Sequence, residues 1–123
     1  MNLDSRDKKY PLISSFKFAF AGIKKAVLEE RNIRIHLTVS ILVIFAGVWF
    51  SISAIEWILI LFAIGGMLSL EMLNSAIERV VDLASKEIHP LAKAAKDMAA
   101  GAVLIYAVMS VIIGLIIFLP KLF

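Results

Sequence analysis

The chain has 123 residues, of which 61% are hydrophobic, a formal charge of +3 and no cysteine. Its mean hydropathy of +0.92 excludes an ordinary water-soluble domain, and the lack of thiols excludes disulfides and thiolate metal sites. The pI near 9.3 could signal nucleic acid, but eight of the 13 basic residues (Arg6, Lys8, Lys9, Lys17, Lys24, Lys25, Arg31 and Arg34) precede the first long apolar stretch, a placement that suits a membrane surface better.

Residues 1–11 are polar and end at Pro11. From Leu12 to about Arg31, Ile13, Phe16, Phe20, Ile23 and Val27 recur at helical spacing. A basic amphipathic helix over 12–31 is expected to lie in the membrane interface, its lysine stems reaching toward headgroups. The alternative is a cytoplasmic helix packed on its own protein. Glu30 continues the line Phe16, Ile23, Glu30 and so points toward the apolar side.

Three stretches are then long enough to cross lipid, at 35–53, 54–73 and 98–119. The first is too long for a removable signal segment, so no signal peptide is expected. Trp49 and Trp57 bracket the turn between spans one and two, as an aromatic belt would. Gly65-Gly66 permits close helix approach in span two, and Ala92, Ala95, Ala99 and Ala102 give span three a small-residue stripe. His89-Pro90 breaks the helix that continues from span two, because proline ends one helix and starts another well. Arg79, Lys86, Lys93 and Lys96 fall in the 74–97 segment, while the turn from Ser51 to Glu56 carries no cation. The positive-inside rule therefore puts the N-terminus and 74–97 in the cytoplasm. The expected fold is an all-α integral membrane protein. It has three transmembrane helices plus an N-terminal amphipathic interfacial helix, all in one membrane domain over 1–123.

The informative run is Glu71-Met-Leu-Asn74-Ser-Ala-Ile-Glu78-Arg-Val-Val-Asp82. On one helix, steps of 7 and 11 residues rotate by about −20° and +20°, so Glu71, Glu78 and Asp82 share a face with Asn74 to one side. Carboxylates at the end of a membrane span are costly and usually carry function. Glu71 and Glu78 lie about 10 Å apart along the axis, too far for one ion from one helix. The separation suits two roles. Glu71 could act as a base on a lipid hydroxyl with Asn74 orienting it, and Glu78 with Glu30 could hold Mg²⁺ on phosphate oxygens if their helices meet. Lys96 suits phosphate neutralisation. The same residues also admit a plain reading: Lys93–Asp97 as an i,i+4 pair, Asp82 facing water, and a structural or ion-conducting role. Ser75-x-x-Glu78 resembles a capping box but lies inside the helix. Nucleotide-binding glycine motifs are missing. His36 and His89 are too far apart for a metal pair and read as local hydrogen-bond formers.

This run, followed by His89-Pro90 and Ala95-Lys96-Asp97-Met-Ala-Ala-Gly-Ala-Val103, strongly resembles the prokaryotic diacylglycerol kinase family, small three-span lipid kinases. The segment Glu30-Arg31-Asn32-Ile33-Arg34-Ile35-His36 resembles the Gram-positive branch, typically undecaprenol kinases. The resemblance implies a homotrimer with active sites shared between protomers, ATP as co-substrate and Mg²⁺ as cofactor. It implies that Glu71 is the general base and lipid-contacting residue, with Asn74 its partner. Glu30 and Glu78 then correspond to the ligands of Mg²⁺ and ATP. Glu87, Ile88 and His89 correspond to the stretch touching the nucleotide, and Lys96 and Asp97 to the pair positioning its phosphates. Phe18 stands where proteobacterial members carry a tyrosine near the nucleotide. The expected activity is ATP-dependent phosphorylation of undecaprenol to undecaprenyl phosphate. The alternative is a diacylglycerol kinase producing phosphatidate. A small oligomeric ion or drug carrier is a competing class, against which stands the lack of acidic residues deep in spans one and three.

Overall fold

Pro11 has an extended backbone (φ −67°, ψ 164°) and serves as the N-cap of the first helix, where its missing N–H costs nothing. The computed structural model describes residues 11–123, so the polar residues 1–10 and the cations Arg6, Lys8 and Lys9 lie outside the described part. Four helices follow: α1 (Leu12–Glu29), α2 (Arg31–Trp49), α3 (Ala54–Ala84) and α4 (Pro90–Leu122). The described residues contain no strand, and α2, α3 and α4 are each long and apolar enough to cross a membrane. With 31 and 33 residues, α3 and α4 extend about 46 and 50 Å. Both therefore project beyond a hydrocarbon layer of about 30 Å.

The break between α1 and α2 is a single residue. Glu30 is extended (φ −108°, ψ 111°) and serves as C-cap of one helix and N-cap of the next. Its N–H still bonds Ala26 O at 2.8 Å. The Arg34 guanidinium donates to the carbonyls of Val27 and Leu28 at 3.0 Å each, satisfying acceptors that the end of α1 would otherwise leave open. The second helix thus begins at Arg31, four residues earlier than the apolar pattern suggests. Of the expected stripe, Ile13, Phe16, Phe20 and Ile23 are exposed in the single chain and Val27 is half-buried.

At the other end of α2, helix gives way at Phe50, and Ser51 takes a left-handed conformation (φ 51°). Ser51 N–H donates to Val48 O at 3.2 Å and Ile52 N–H to Gly47 O at 3.1 Å, the paired bonds of a Schellman ending. A Cβ at Gly47 would sit 2.7 Å from Trp57 Cη2 and 3.1 Å from Ile52 Cδ1, so a larger residue there would push against the Trp57 ring that packs over the turn. Ser53 then caps α3. Its Oγ accepts from Glu56 N–H at 3.2 Å, and Glu56 Oε1 accepts from Ser53 N–H at 2.9 Å, a complete capping box. Lys121 from the end of α4 bonds Glu56 Oε2 at 3.2 Å.

The hydrophobic core gathers at this turn. Ile52, Ile60 and Ile117 are buried, with Phe50, Trp57 and Phe118 packed around them. The Phe50 and Phe118 rings lie 6.1 Å apart at 57°, a tilted arrangement that aromatic pairs favour. Farther along, Tyr106 crosses Gly66 and donates its hydroxyl to Phe62 O at 2.6 Å. A Cβ at Gly66 would overlap the Tyr106 ring, whereas Gly65 faces open space. Within the chain, Gly66 is the member of the pair at a close approach. α4 packs chiefly on α3 and α2 also packs on α3, but α2 and α4 make no helix packing with each other. They flank an apolar groove of about 480 Å³ that takes in His36, Ser40, Met67, Ser110 and Phe118.

Candidate active site

The buried residues of α3 are Ile60, Ala63, Met67, Glu71 and Ser75. Their steps of three and four form one stripe. A carboxylate occupies a place in that stripe where an apolar side chain would pack, and Glu71 is only 4% exposed. The facing element is the first part of α2, where His36 Nε2 lies 3.5 Å from Glu71 Oε1. No hydrogen bond joins Glu71 to Asn74. Instead Asn74 Oδ1 and Ser110 Oγ are the buried side-chain atoms without a partner among the described residues. Burying such an acceptor unpaired costs about 1–3 kcal/mol, so the bare Asn74 carbonyl marks a place that a donor would stabilise.

Glu30 reaches α3, as the expected pairing with Glu78 required, but it meets a different side chain. Arg79 Nη2 donates to Glu30 Oε1 at 2.9 Å. This bond, together with the Glu29 and Glu30 charges, holds the Arg79 guanidinium above its ordinary range. Glu30, Arg79, Ser75, Ala26, Lys25 and Gly22 line a cleft of about 210 Å³ between α1 and α3. Glu78 is absent from this cleft, because one residue rotates a helix by about 100°. Its charge acts instead on Lys96 of α4. The described residues hold no cluster of three His, Cys, Asp or Glu side chains suited to a metal. Within one chain Glu30 bonds Arg79, and Glu78 lies outside the cleft they line.

Lys96 bonds Asp82 Oδ1 at 2.6 Å, and Lys93 pairs with Asp97 at 2.5 Å as an i,i+4 neighbour. Lys96 and Asp97, the two residues expected at the phosphates, thus each hold a partner within the chain, and the Lys93–Asp97 contact is the i,i+4 pair that the spacing allows. The hydrogen bond to Asp82 holds the Lys96 ammonium above lysine's ordinary value of 10.5, with Glu78 adding in the same direction. A raised folded-state value means that the tie is fully present below the ordinary value and is lost only as pH rises through the raised one. Lys96 is therefore cationic throughout the neutral range.

Between α3 and α4, Ser85 Oγ donates to Glu87 O at 2.8 Å, and His89 Nδ1 accepts from Leu91 N–H at 3.1 Å. His89 is the N-cap of α4, with Pro90 at its first position. This link leaves Glu87, Ile88 and His89 exposed. Together with Asp82, Lys93 and Lys96 they line a cleft of about 290 Å³. The three residues expected at the nucleotide and the lysine expected at its phosphates thus share one cavity, with Asp97 outside it. Phe18 is half-buried on α1.

The family model described as prokaryotic diacylglycerol kinase matches residues 17–118. This chain belongs to the prokaryotic diacylglycerol kinase family. Among members of that family, an undecaprenol kinase of Bacillus subtilis is 50% identical over 123 residues, covering 98% of this chain and 100% of that one. A diacylglycerol kinase of Synechocystis is 42% identical over 112 residues, 90% of this chain and 64% of its own length. A diacylglycerol kinase of Escherichia coli is 33% identical over 101 residues, 82% of this chain and 83% of its own.

Two contacts at this family member's site were not anticipated from the sequence. The sequence places Arg79 only among the cations of the 74–97 segment and gives His36 as a local hydrogen-bond former. The signal for each was a glutamate in line with apolar residues, which needs a cation or a donor once it is buried.

Proposed function

We propose that this chain transfers the γ-phosphoryl group of ATP to undecaprenol, giving undecaprenyl phosphate, and that its site faces the cytoplasm. The observation that carries this reading is the buried Glu71 in the apolar stripe of α3, on the same helix as Asp82, which lines the basic cleft between α3 and α4. A membrane-embedded alcohol and a water-borne nucleotide could meet only at such a boundary. The Bacillus subtilis relative, an undecaprenol kinase at 50% identity, supports undecaprenol over diacylglycerol. The Gram-positive character of the Glu30–His36 segment points the same way.

In this mechanism Glu71 accepts the proton of the lipid hydroxyl as its oxygen attacks the γ-phosphorus. The bond from that phosphorus to the β,γ-bridging oxygen breaks, ADP leaves, and the proton stays on the Glu71 carboxyl. Positioning and charge stabilisation supply most of the rate in such transfers. Lys96 neutralises phosphate charge, the 87–89 link touches the nucleotide, and Asn74 offers its free carbonyl to a donor on the substrate. Mg²⁺, when bound, neutralises the triphosphate. Glu30 and Glu78 are the residues that would hold it, carboxylates being among the hard oxygen donors that Mg²⁺ favours. Sites shared between protomers of a homotrimer, as the resemblance implies, would bring the two together.

Radiolabelled ATP offered with both lipids in mixed micelles tests this reading. Undecaprenol should be the preferred acceptor, and Glu30→Ala and Glu78→Ala should each raise the Mg²⁺ requirement or stop turnover. Preference for diacylglycerol would overturn the choice of substrate. Unchanged metal dependence in both variants would remove the ligand pair.

A further inference from the structure

The proposed base has one neighbour that nothing so far has put to use. Glu71 is buried among Met67, Ser75 and the α2 interface. A carboxylate there is expensive to hold without a partner. Asn74, the residue expected to orient it, makes no bond to it, and its Oδ1 is unpaired. Among the described residues the side chain in ion-pair range of Glu71 is His36, with Nε2 at 3.5 Å from Oε1. His36 is itself largely shielded, its side chain 28% exposed. Its backbone carbonyl accepts from Ser40 Oγ at 2.6 Å, and the residue lines the apolar groove between α2 and α4.

We propose that His36 is a positioning residue for phosphoryl transfer: from the neighbouring helix its Nε2–H holds Glu71 Oε1, leaving Oε2 to take the proton of the lipid hydroxyl. The inference rests on Glu71 being the base and adds the group that aims it. A carboxylate on a long side chain has two equivalent oxygens and several rotamers. A donor from a second helix fixes which oxygen faces the substrate. At 3.5 Å the contact is longer than a good hydrogen bond, and catalytic contacts of this kind tighten when substrate is bound. Two atoms thus divide the work across the α2–α3 interface, with His36 setting the geometry and Glu71 moving the proton.

The chain contains two histidines, which makes the pairing directly observable. In ¹⁵N-histidine protein, Glu71→Gln should move the ring-nitrogen signals of His36. Those of His89, bonded to Leu91 N–H in the α3–α4 link, should stay in place. In turnover assays, His36→Leu should lower kcat by about tenfold to a hundredfold, a fraction of the roughly 10²–10⁴ that a positioned base supplies. KM for ATP should not change. His36→Gln, whose amide can donate in the same direction, should recover most of the loss, a rescue that a merely structural role would not require. His36 signals blind to Glu71→Gln, or parent-level kcat in His36→Leu beside an inactive Glu71→Gln, would overturn this assignment alone. Parent-level turnover of Glu71→Gln itself would overturn the base reading and this one with it.

Discussion

Glu71 is the residue at which stability and function pull apart. Its carboxylate fills a place in a stripe otherwise made of Ile60, Ala63, Met67 and Ser75. Replacing both members of a buried pair with well-packed apolar residues is often neutral, or stabilising by about 1–4 kcal/mol. The double variant His36→Leu with Glu71→Leu should therefore keep or raise the thermal midpoint in detergent micelles while abolishing phosphoryl transfer. Thermal unfolding followed by circular dichroism checks it, and a clear loss of stability would show that the pair is a structural element. Glu71 was legible in the sequence because a charge inside an apolar run is conspicuous. Its partner was not, since His36 lies thirty-five residues away and only the packing of α2 on α3 brings the two within 3.5 Å. The same holds for Glu30, whose place toward the apolar side was visible but whose ion pair with Arg79 of α3 was not.

At the scale of the helices, patterns set by apolar spacing were readable and those set by backbone hydrogen bonds less so. The proline start of α4 and the three long helices follow from composition and periodicity. The hinge at Glu30 does not, because neither glycine nor proline marks it. The break is held by Arg34 bonding the end of α1 and by the Arg79 ion pair. The Ser53–Glu56 capping box was present in the sequence as Ser-x-x-Glu, directly after the turn. The similar pattern at Ser75 is not a cap, because helix precedes it. The Schellman ending at Ser51 gives a prediction of its own. A non-glycine residue in the left-handed region costs roughly 1–2 kcal/mol, part of which glycine gives back through the freedom of the unfolded chain. Ser51→Gly should stabilise the protein by about 0.5–1 kcal/mol, seen as a higher thermal midpoint with unchanged activity. A lower midpoint would mean that the serine side chain contributes more than its backbone costs.

For the molecule as a whole, the single chain buries little of its apolar surface. The windows of α2 and α4 that would cross the membrane are 11% and 6% buried. A soluble protein could not present such helices to water. Lipid, or further copies of the chain, must cover them. Orientation follows from charge in this account, with α1 and the α3–α4 link on the cytoplasmic side. Because the chain has no cysteine, single cysteines at Lys86 and Phe123 give a direct reading in intact cells. A membrane-impermeant maleimide should label Lys86→Cys only after lysis and Phe123→Cys before it. The reverse pattern would invert the topology and move the proposed site out of reach of cytoplasmic ATP. The most direct test of the central claim is the rate at which Glu71→Gln transfers ³²P from γ-labelled ATP to undecaprenol, beside the parent protein in the same micelles. The account predicts a fall of at least roughly 10²-fold, the contribution of a positioned general base, in a variant whose helical content and thermal midpoint are preserved. A rate near that of the parent would contradict it.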